Sequence, residues 1–279
     1  MNQTKTLLII VAMTGLLVWI GGMIGGRSGM VLALAIGLLL NGVSYFFSDR
    51  IVLASYGAQP VTQAEAPELH AIVANLAQRA GLPMPRIAII PEETPNAFAT
   101  GRDPEHAVVA VTEGIMRVLS RPELEAVLGH ELGHVKHRDI LIGSLAAVLA
   151  QAIMFLSRFA GFFGTRDEEG RSNPVAGIAI MILGPLAAIV LQMAVSRSRE
   201  YMADEYSAHL TGRPDMLASA LERLQADNQR LPMRSAEPAT AHMMIVNPLS
   251  GGGLMSLFST HPPLEARVER LRHMSIEAR

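Results

Sequence analysis

The sequence predicts a mainly helical α+β protein: a soluble domain with a small antiparallel sheet, joined to a transmembrane helical bundle of about four spans. Three observations carry that expectation. Half of the 279 residues are apolar and only 17% are charged, which is lean for a wholly soluble surface. The apolar residues gather in four uncharged runs. Between the runs lie capped stretches with apolar residues at helical spacing, and a cluster of short β-rich pieces.

The first run, residues 6–26, reads TLLIIVAMTGLLVWIGGMIGG and is long enough to cross about 30 Å of hydrocarbon as a helix. A second uncharged run at 29–48 follows after only Arg27 and Ser28, so residues 1–50 read as a transmembrane hairpin. A cleaved signal peptide would have a shorter apolar core and no such sequel. Residues 51–139 have the composition of a folded domain. Thr62 and Glu65 stand in capping-box spacing before Leu69, Ile72, Val73 and Leu76, and Gly81 and Pro83 end that helix. Short β-rich pieces follow at 86–90, 97–100 and 106–112, with connections too short for parallel crossovers. Ser120 and Glu123 form a second capping box, with Pro122 in the first turn and Leu124, Val127, Leu128 and Leu132 behind it. The third run, 140–157, and the fourth, 174–195, make a second apolar hairpin over 140–195 around a polar loop holding Arg166, Asp167, Glu168, Glu169 and Arg171. The third is near the lower length limit for a span, so both either cross or pack partly against the soluble domain. Residues 196–279 complete that domain, and the Pro and Gly density of 228–259 suggests a mobile loop over or beside its site.

Composition removes several function classes. The charge balance of 23 basic against 25 acidic residues gives no footprint for nucleic acid. With no cysteine, thiol catalysis, disulfides, iron–sulfur clusters and Cys-ligated zinc are excluded, so any metal is held by His and carboxylates. All four runs lack Asp, Glu, Lys, Arg and His, which leaves no ion path for a transporter.

The capped helix carries the chemistry. His130, Glu131, Leu132, Gly133 and His134 spell HExxH, which sets two imidazoles one turn apart on one face, able to meet a single ion. Glu131 beside them suits a base that takes a proton from a water acidified by that ion. A catalytic zinc needs a third protein ligand, read here as Glu200, with Asp204 one turn later accepting from the far nitrogen of a ligand histidine. The alternative has Glu200 and Asp204 pairing with Arg197 and Arg199 on a wet helix. His137 shares the side of His130, but one helix does not easily surround an ion, so a structural or headgroup contact suits it better. Two intervening runs keep His130, His134 and Glu200 on one side of the bilayer, and helical rise sets His134 and Glu200 both about 8 to 9 Å from the lipid boundary. That height points to membrane proteins, or segments next to the membrane, as substrates. A different class of reading is a membrane scaffold with a closed structural metal, for which a fourth ligand such as His261 is needed.

HELGH at 130–134, SRSREYMADEYSA at 196–208, NAFATG at 96–101 and FSTHPPLEARVERL at 258–271 together resemble the HtpX-type heat-shock membrane zinc metalloproteases, which are related to the CAAX-prenyl endopeptidase. The resemblance implies a gluzincin-like HExxH metallopeptidase domain holding one Zn²⁺ per subunit on His130, His134 and Glu200, with Glu131 as general base. It implies a zinc metalloendopeptidase that hydrolyses damaged or misfolded membrane proteins during stress, its own chain among the candidate substrates. It also implies that Asn96, Ala97, Phe98 and Ala99 form an edge strand to which a substrate adds through backbone bonds. From local sequence alone, Asn96 and Phe98 read equally as turn and core residues. His261, in a rigid T-H-P-P turn, is either a catalytic donor to the developing oxyanion or a capping and packing residue. His242 is less suited to that role. Arg197 and Arg199 could meet lipid phosphates, assist the oxyanion or pair with Asp204. Lys5, Arg50, Lys136, Arg138, Arg197 and Arg199 flank the runs on one side, against Arg27, Arg158, Arg166 and Arg171 on the other. This favours the N-terminus and the catalytic domain inside. The resemblance agrees and implies a multi-pass protein of the bacterial cytoplasmic (inner) membrane, with its catalytic domain in the cytoplasm.

Overall fold

The computed structural model describes residues 2–148, 150, 197–231, 233, 240–246 and 262–274. Helix α1, Asn2–Ser55, is not straight. Asn41 Nδ2 donates to Thr14 Oγ1 at 2.9 Å, two atoms that a continuous helix would hold about 40 Å apart. The chain doubles back at Gly26, whose φ of 55° suits a residue without Cβ, and a Cβ on Gly22 would lie 2.9 Å from Met30 on the other limb. The second limb, Gly26–Ser55, is long and apolar enough to cross a membrane by length and composition. It is the one such helix among the described residues, so the expected bundle of about four spans is not reached there. The third run begins as the shorter apolar helix α5, Asp139–Val148, and the fourth, at 174–195, lies outside the described residues.

Strands β1 (Gln59–Pro60), β2 (Arg86–Ile90), β3 (Ala97–Thr100) and β4 (Val108–Thr112) form one sheet in the order β1-β2-β4-β3. The sheet is mixed, not antiparallel as the short connections suggest: β2 and β4 run parallel, with Arg86 opposite Val108. The crossover gets its length from residues 91–107, which contain β3 as the return path, so a strand takes the place of the usual helix. β3 then pairs antiparallel with β4 and forms the edge. The turn between them needs Gly101, with φ 134°, because a Cβ there would meet the His106 carbonyl at 2.5 Å.

Helix α2, Pro67–Ala80, starts later than its capping signal. Thr62 N–H and Oγ1 both donate to Glu65 at 2.7 Å, but Pro67 disfavours the helical conformation at Ala66, which sits at φ −136°, and the helix begins only beyond it. Helix α3, Glu113–Val118, is short. Helix α4, Arg121–Lys136, starts at Ser120, whose N–H and hydroxyl donate to Glu123 at 2.9 and 2.6 Å. Arg138, at φ 58°, turns the chain out of α4 and into α5. Helices α6 (Arg197–Thr211), α7 (Pro214–Arg230) and α8 (Leu264–Arg272) complete the described α-helices.

Alternation along the strands gives the sheet two buried faces. Ile87, Ala97, Ala99, Val109 and Val111 join Leu128 and Leu132 of α4, Leu76 of α2 and Leu221 of α7 in the main core. Ala88, Ile90, Phe98 and Ala110 pack on the other face against Val52 and Tyr56, at the end of α1. The sheet thus links the last turn of the apolar helix to the helix that carries HExxH.

Candidate metal centre

Helix α4 buries much of its polar motif along with its apolar stripe: His130 and Glu131 are each 1% exposed and His134 is partly buried. A second helix reaches that polar face because glycine leaves room. A Cβ on Gly133 would lie 3.2 Å from Ala203 Cα and from Tyr206, and one on Gly129 would lie 2.9 Å from Ser207 Oγ. Ser207 crosses the seam and donates to the Ala126 carbonyl at 2.5 Å. This close α4–α6 packing delivers Glu200 to the histidines.

His130 Nε2 and His134 Nε2 lie 3.1 Å apart, Glu200 Oε2 is 3.7 Å from His130 Nε2, and Glu200 Oε1 is 3.6 Å from His134 Nε2. Four ligands at about 2.1 Å around a tetrahedral ion stand about 3.4 Å from one another, so these spacings fit the edges of such a site. The donor set, two imidazoles and a carboxylate, is one that zinc accepts. Among the described residues this is the group of His and acidic side chains able to hold a metal ion.

Each imidazole is fixed from behind by a carboxylate. Asp204 Oδ1 lies 2.9 Å from His130 Nδ1, and Asp139 Oδ2 lies 3.4 Å from His134 Nδ1. Bonds at Nδ1 leave both Nε2 atoms turned toward Glu200. Burial holds His130 below its ordinary value, against the pull of Asp204. At His134 burial also lowers the pKa, but Asp139, Glu200 and Glu131 outweigh it and raise the group to about 9. Burial pushes Glu131 up to about 7, with Glu200 adding to the rise while His134 and a hydrogen bond from the Ala99 backbone oppose it. Arg267 donates from Nε and Nη2 to Asp204 at 2.8 and 2.7 Å, and this ion pair holds the Asp204 carboxyl well below the usual carboxylate range despite its burial.

The expected residues do not all converge. His130, Glu131, His134, Glu200 and Ala99 line one cleft, together with Asp139, Arg199 and residues 242–245. Asp204 stands behind His130. Thr112 N–H donates to the Asn96 carbonyl, so strand alternation turns the main chain of Asn96 and Phe98 toward β4 and that of Ala97 and Ala99 toward the free edge. The Phe98 side chain is core, packed on Tyr56 with ring centroids 5.5 Å apart. His137 meets Tyr206 instead of the cluster. Arg199 contacts Asp139 at 3.4 Å, while Asp204 is held by Arg267. His242, thought less suited, lines the cleft and bonds the Gly143 carbonyl at 3.1 Å, whereas His261 lies outside the described residues.

Asp139 and Arg267 were missed in the sequence. Arg267 had a signal: Leu264, Val268 and Leu271 make the apolar stripe of α8, and an arginine within that stripe, 2% exposed, is a charge on a buried face. Asp139 had a weaker one, as the last charge before an apolar run.

The family model of Peptidase family M48 matches residues 63–275. A protein named Protease HtpX homolog from Ralstonia nicotianae is 56% identical over 277 residues, covering 98% of this chain and 97% of its own. Another of that name, from Paraburkholderia phytofirmans, is 54% identical over the same shares of both chains. The crystal structure of S. mikatae Ste24p shares the fold at 20% identity and a TM-score of 0.50, covering 98% of this chain and 66% of that one. Matched by the family model over residues 63–275 and by these relatives over nearly its full length, the chain belongs to peptidase family M48 and is a metalloprotease.

Proposed function

We propose that this metalloprotease is a zinc-dependent endopeptidase of the bacterial cytoplasmic membrane that cuts damaged or misfolded membrane proteins from the cytoplasmic side. The observation that carries the reading is a buried Glu131 beside a cluster of three ligands in an open cleft. Zinc, when bound, supplies Lewis-acid chemistry, acidifying water and polarising the scissile carbonyl. His130, His134 and Glu200 hold the ion, and Asp204 and Asp139 keep the two imidazoles aimed at it. Glu131 takes the proton of the attacking water on its carboxylate and passes it to the leaving amine. A substrate adds along β3, met by the main chain of Ala97 and Ala99, while Asn96 and Phe98 anchor the strand to β4 and the core. His261 is kept as the donor to the oxyanion.

Attachment of β3 to the end of α1 through Phe98 and Tyr56 supports a cleft close to the membrane surface, where segments of membrane proteins are reached. Purified full-length protein should lose cleavage of a membrane-protein substrate on chelation and regain it with zinc. Glu131→Gln should keep the metal and slow turnover by about 10²–10⁴-fold. Full activity in that variant would remove Glu131 from the mechanism.

A further inference from the structure

The free edge of β3 is already in use. Ile245 N–H donates to the Ala97 carbonyl at 3.1 Å, and the Ile245 carbonyl accepts from Arg267 Nη1 at 3.1 Å. The Val246 carbonyl accepts from Asn96 Nδ2 at 2.8 Å, and Val246 N–H faces Asn96 Oδ1 at 3.4 Å. All four main-chain polar groups of this dipeptide are therefore engaged, and none of the four bonds uses its side chains. Contacts of this kind recognise an extended peptide whatever its sequence. The partners are set in advance: Asn96 is 0% and Arg267 2% exposed, and the rest of the Arg267 guanidinium is fixed on Asp204.

Ile245 meets the Ala97 main chain and Val246 the Asn96 side chain, so the dipeptide passes β3 in the reverse direction and the residues before Ile245 approach Ala99 and Glu131. Met243, Met244 and Ile245 accordingly line the cleft of the metal cluster. The internal segment offers no extended peptide bond to Glu131, because the chain coils into a 3₁₀ turn at Ala241–Met243 just before reaching it. Anchors hold that turn: Thr240 Oγ1 lies 2.5 Å from the Tyr56 hydroxyl, and His242 bonds the Gly143 carbonyl.

We propose that Ile245–Val246 is an internal competitor: it occupies the main-chain clamp of Asn96, Ala97 and Arg267 on the leaving-group side of the cleft, and a substrate peptide displaces it. The clamp rests on the reading of β3 as the substrate strand. Its occupant lowers apparent affinity by the fraction of molecules in which the clamp is filled. Arg267 then serves two ends, binding a peptide carbonyl and fixing Asp204 behind His130.

The test uses zinc-loaded, full-length Glu131→Gln protein in detergent, with oxidised insulin B chain as the probe and amide hydrogen exchange as the readout. Saturating peptide should slow exchange at Ala97 and Ala99 and speed it several-fold at Ile245 and Val246. Protection of β3 with unchanged exchange at 245 and 246 would overturn the competitor while leaving the substrate strand standing. No change at β3 would overturn the substrate strand and the clamp with it. In the active protein, Ile245→Pro removes the N–H that meets Ala97 and should lower KM for the same peptide by about 2–10-fold, the worth of one hydrogen bond. A KM that stays the same or rises, in a variant with wild-type thermal stability, would also overturn the competitor.

Discussion

At Arg267 one guanidinium binds Asp204 twice, Asp204 binds His130 Nδ1, and His130 Nε2 faces His134 and Glu200. Asp204→Asn keeps the shape of this relay and weakens its charge, so zinc affinity should fall about 10–100-fold in competition with a chelator of known affinity. Arg267→Met also leaves a buried carboxylate without its cation, and should cost about 3–5 kcal/mol of stability besides. Unchanged zinc affinity in both variants would detach the relay from the metal. Glu123 gives an independent test away from the metal. Burial opposes its charge, but bonds from the Ser120 and Ser219 hydroxyls and the Ser120 N–H, with Arg223 nearby, hold its carboxyl below the ordinary 4.5. Its contribution is therefore complete above pH 4.5 and lost as the pH falls through the lower folded value. Glu123→Gln should be less stable than the native chain at neutral pH by about 1 kcal/mol, with the gap closing in acid. A gap that is constant with pH would contradict this. Spacing in the sequence was enough to name His130, Glu131 and His134, because four residues make one turn of any helix. Glu200 and Asp204 were legible as a carboxylate pair one turn apart, while Asp139 and Arg267 reach the site through a turn at Arg138 and a helix far along the chain.

Helix α6 lies close enough to α4 for their side chains to hold one ion between them, and Gly129 and Gly133 set that distance. Gly133→Val should push α6 away, destabilise the protein by about 1–3 kcal/mol and weaken zinc binding along with it. Thermal unfolding and a zinc titration on the same preparation check both, and a destabilised variant with native zinc affinity would contradict the link. Capping boxes and apolar spacing made α2 and α4 readable, since helix signals are local. The start of α2 slipped to Pro67 for a local reason as well, but the parallel β2–β4 pair was not readable, because nothing in residues 86–112 says which strand lies between the others. Pairing order is settled by the packing of the two faces against α4 and the end of α1.

On the scale of the whole molecule, the sheet packs between the end of an apolar helix and the helix that lines the cleft. If the cleft stands at the membrane surface, enzyme in liposomes should cut a membrane-tethered unfolded substrate at least as well as its soluble counterpart. Preference for the soluble form, at equal amounts, would count against a membrane-surface site. The sharing of one cation by α4 and α6 is tested most directly by zinc-edge X-ray absorption on protein loaded with one equivalent, in the native chain and in Glu200→Ala. The expected native shell has two imidazole nitrogens and oxygen donors at about 2.0–2.2 Å, with the Glu200 oxygen lost and zinc held more weakly in the variant. An identical shell and affinity in Glu200→Ala would show that the ion is not held by both helices.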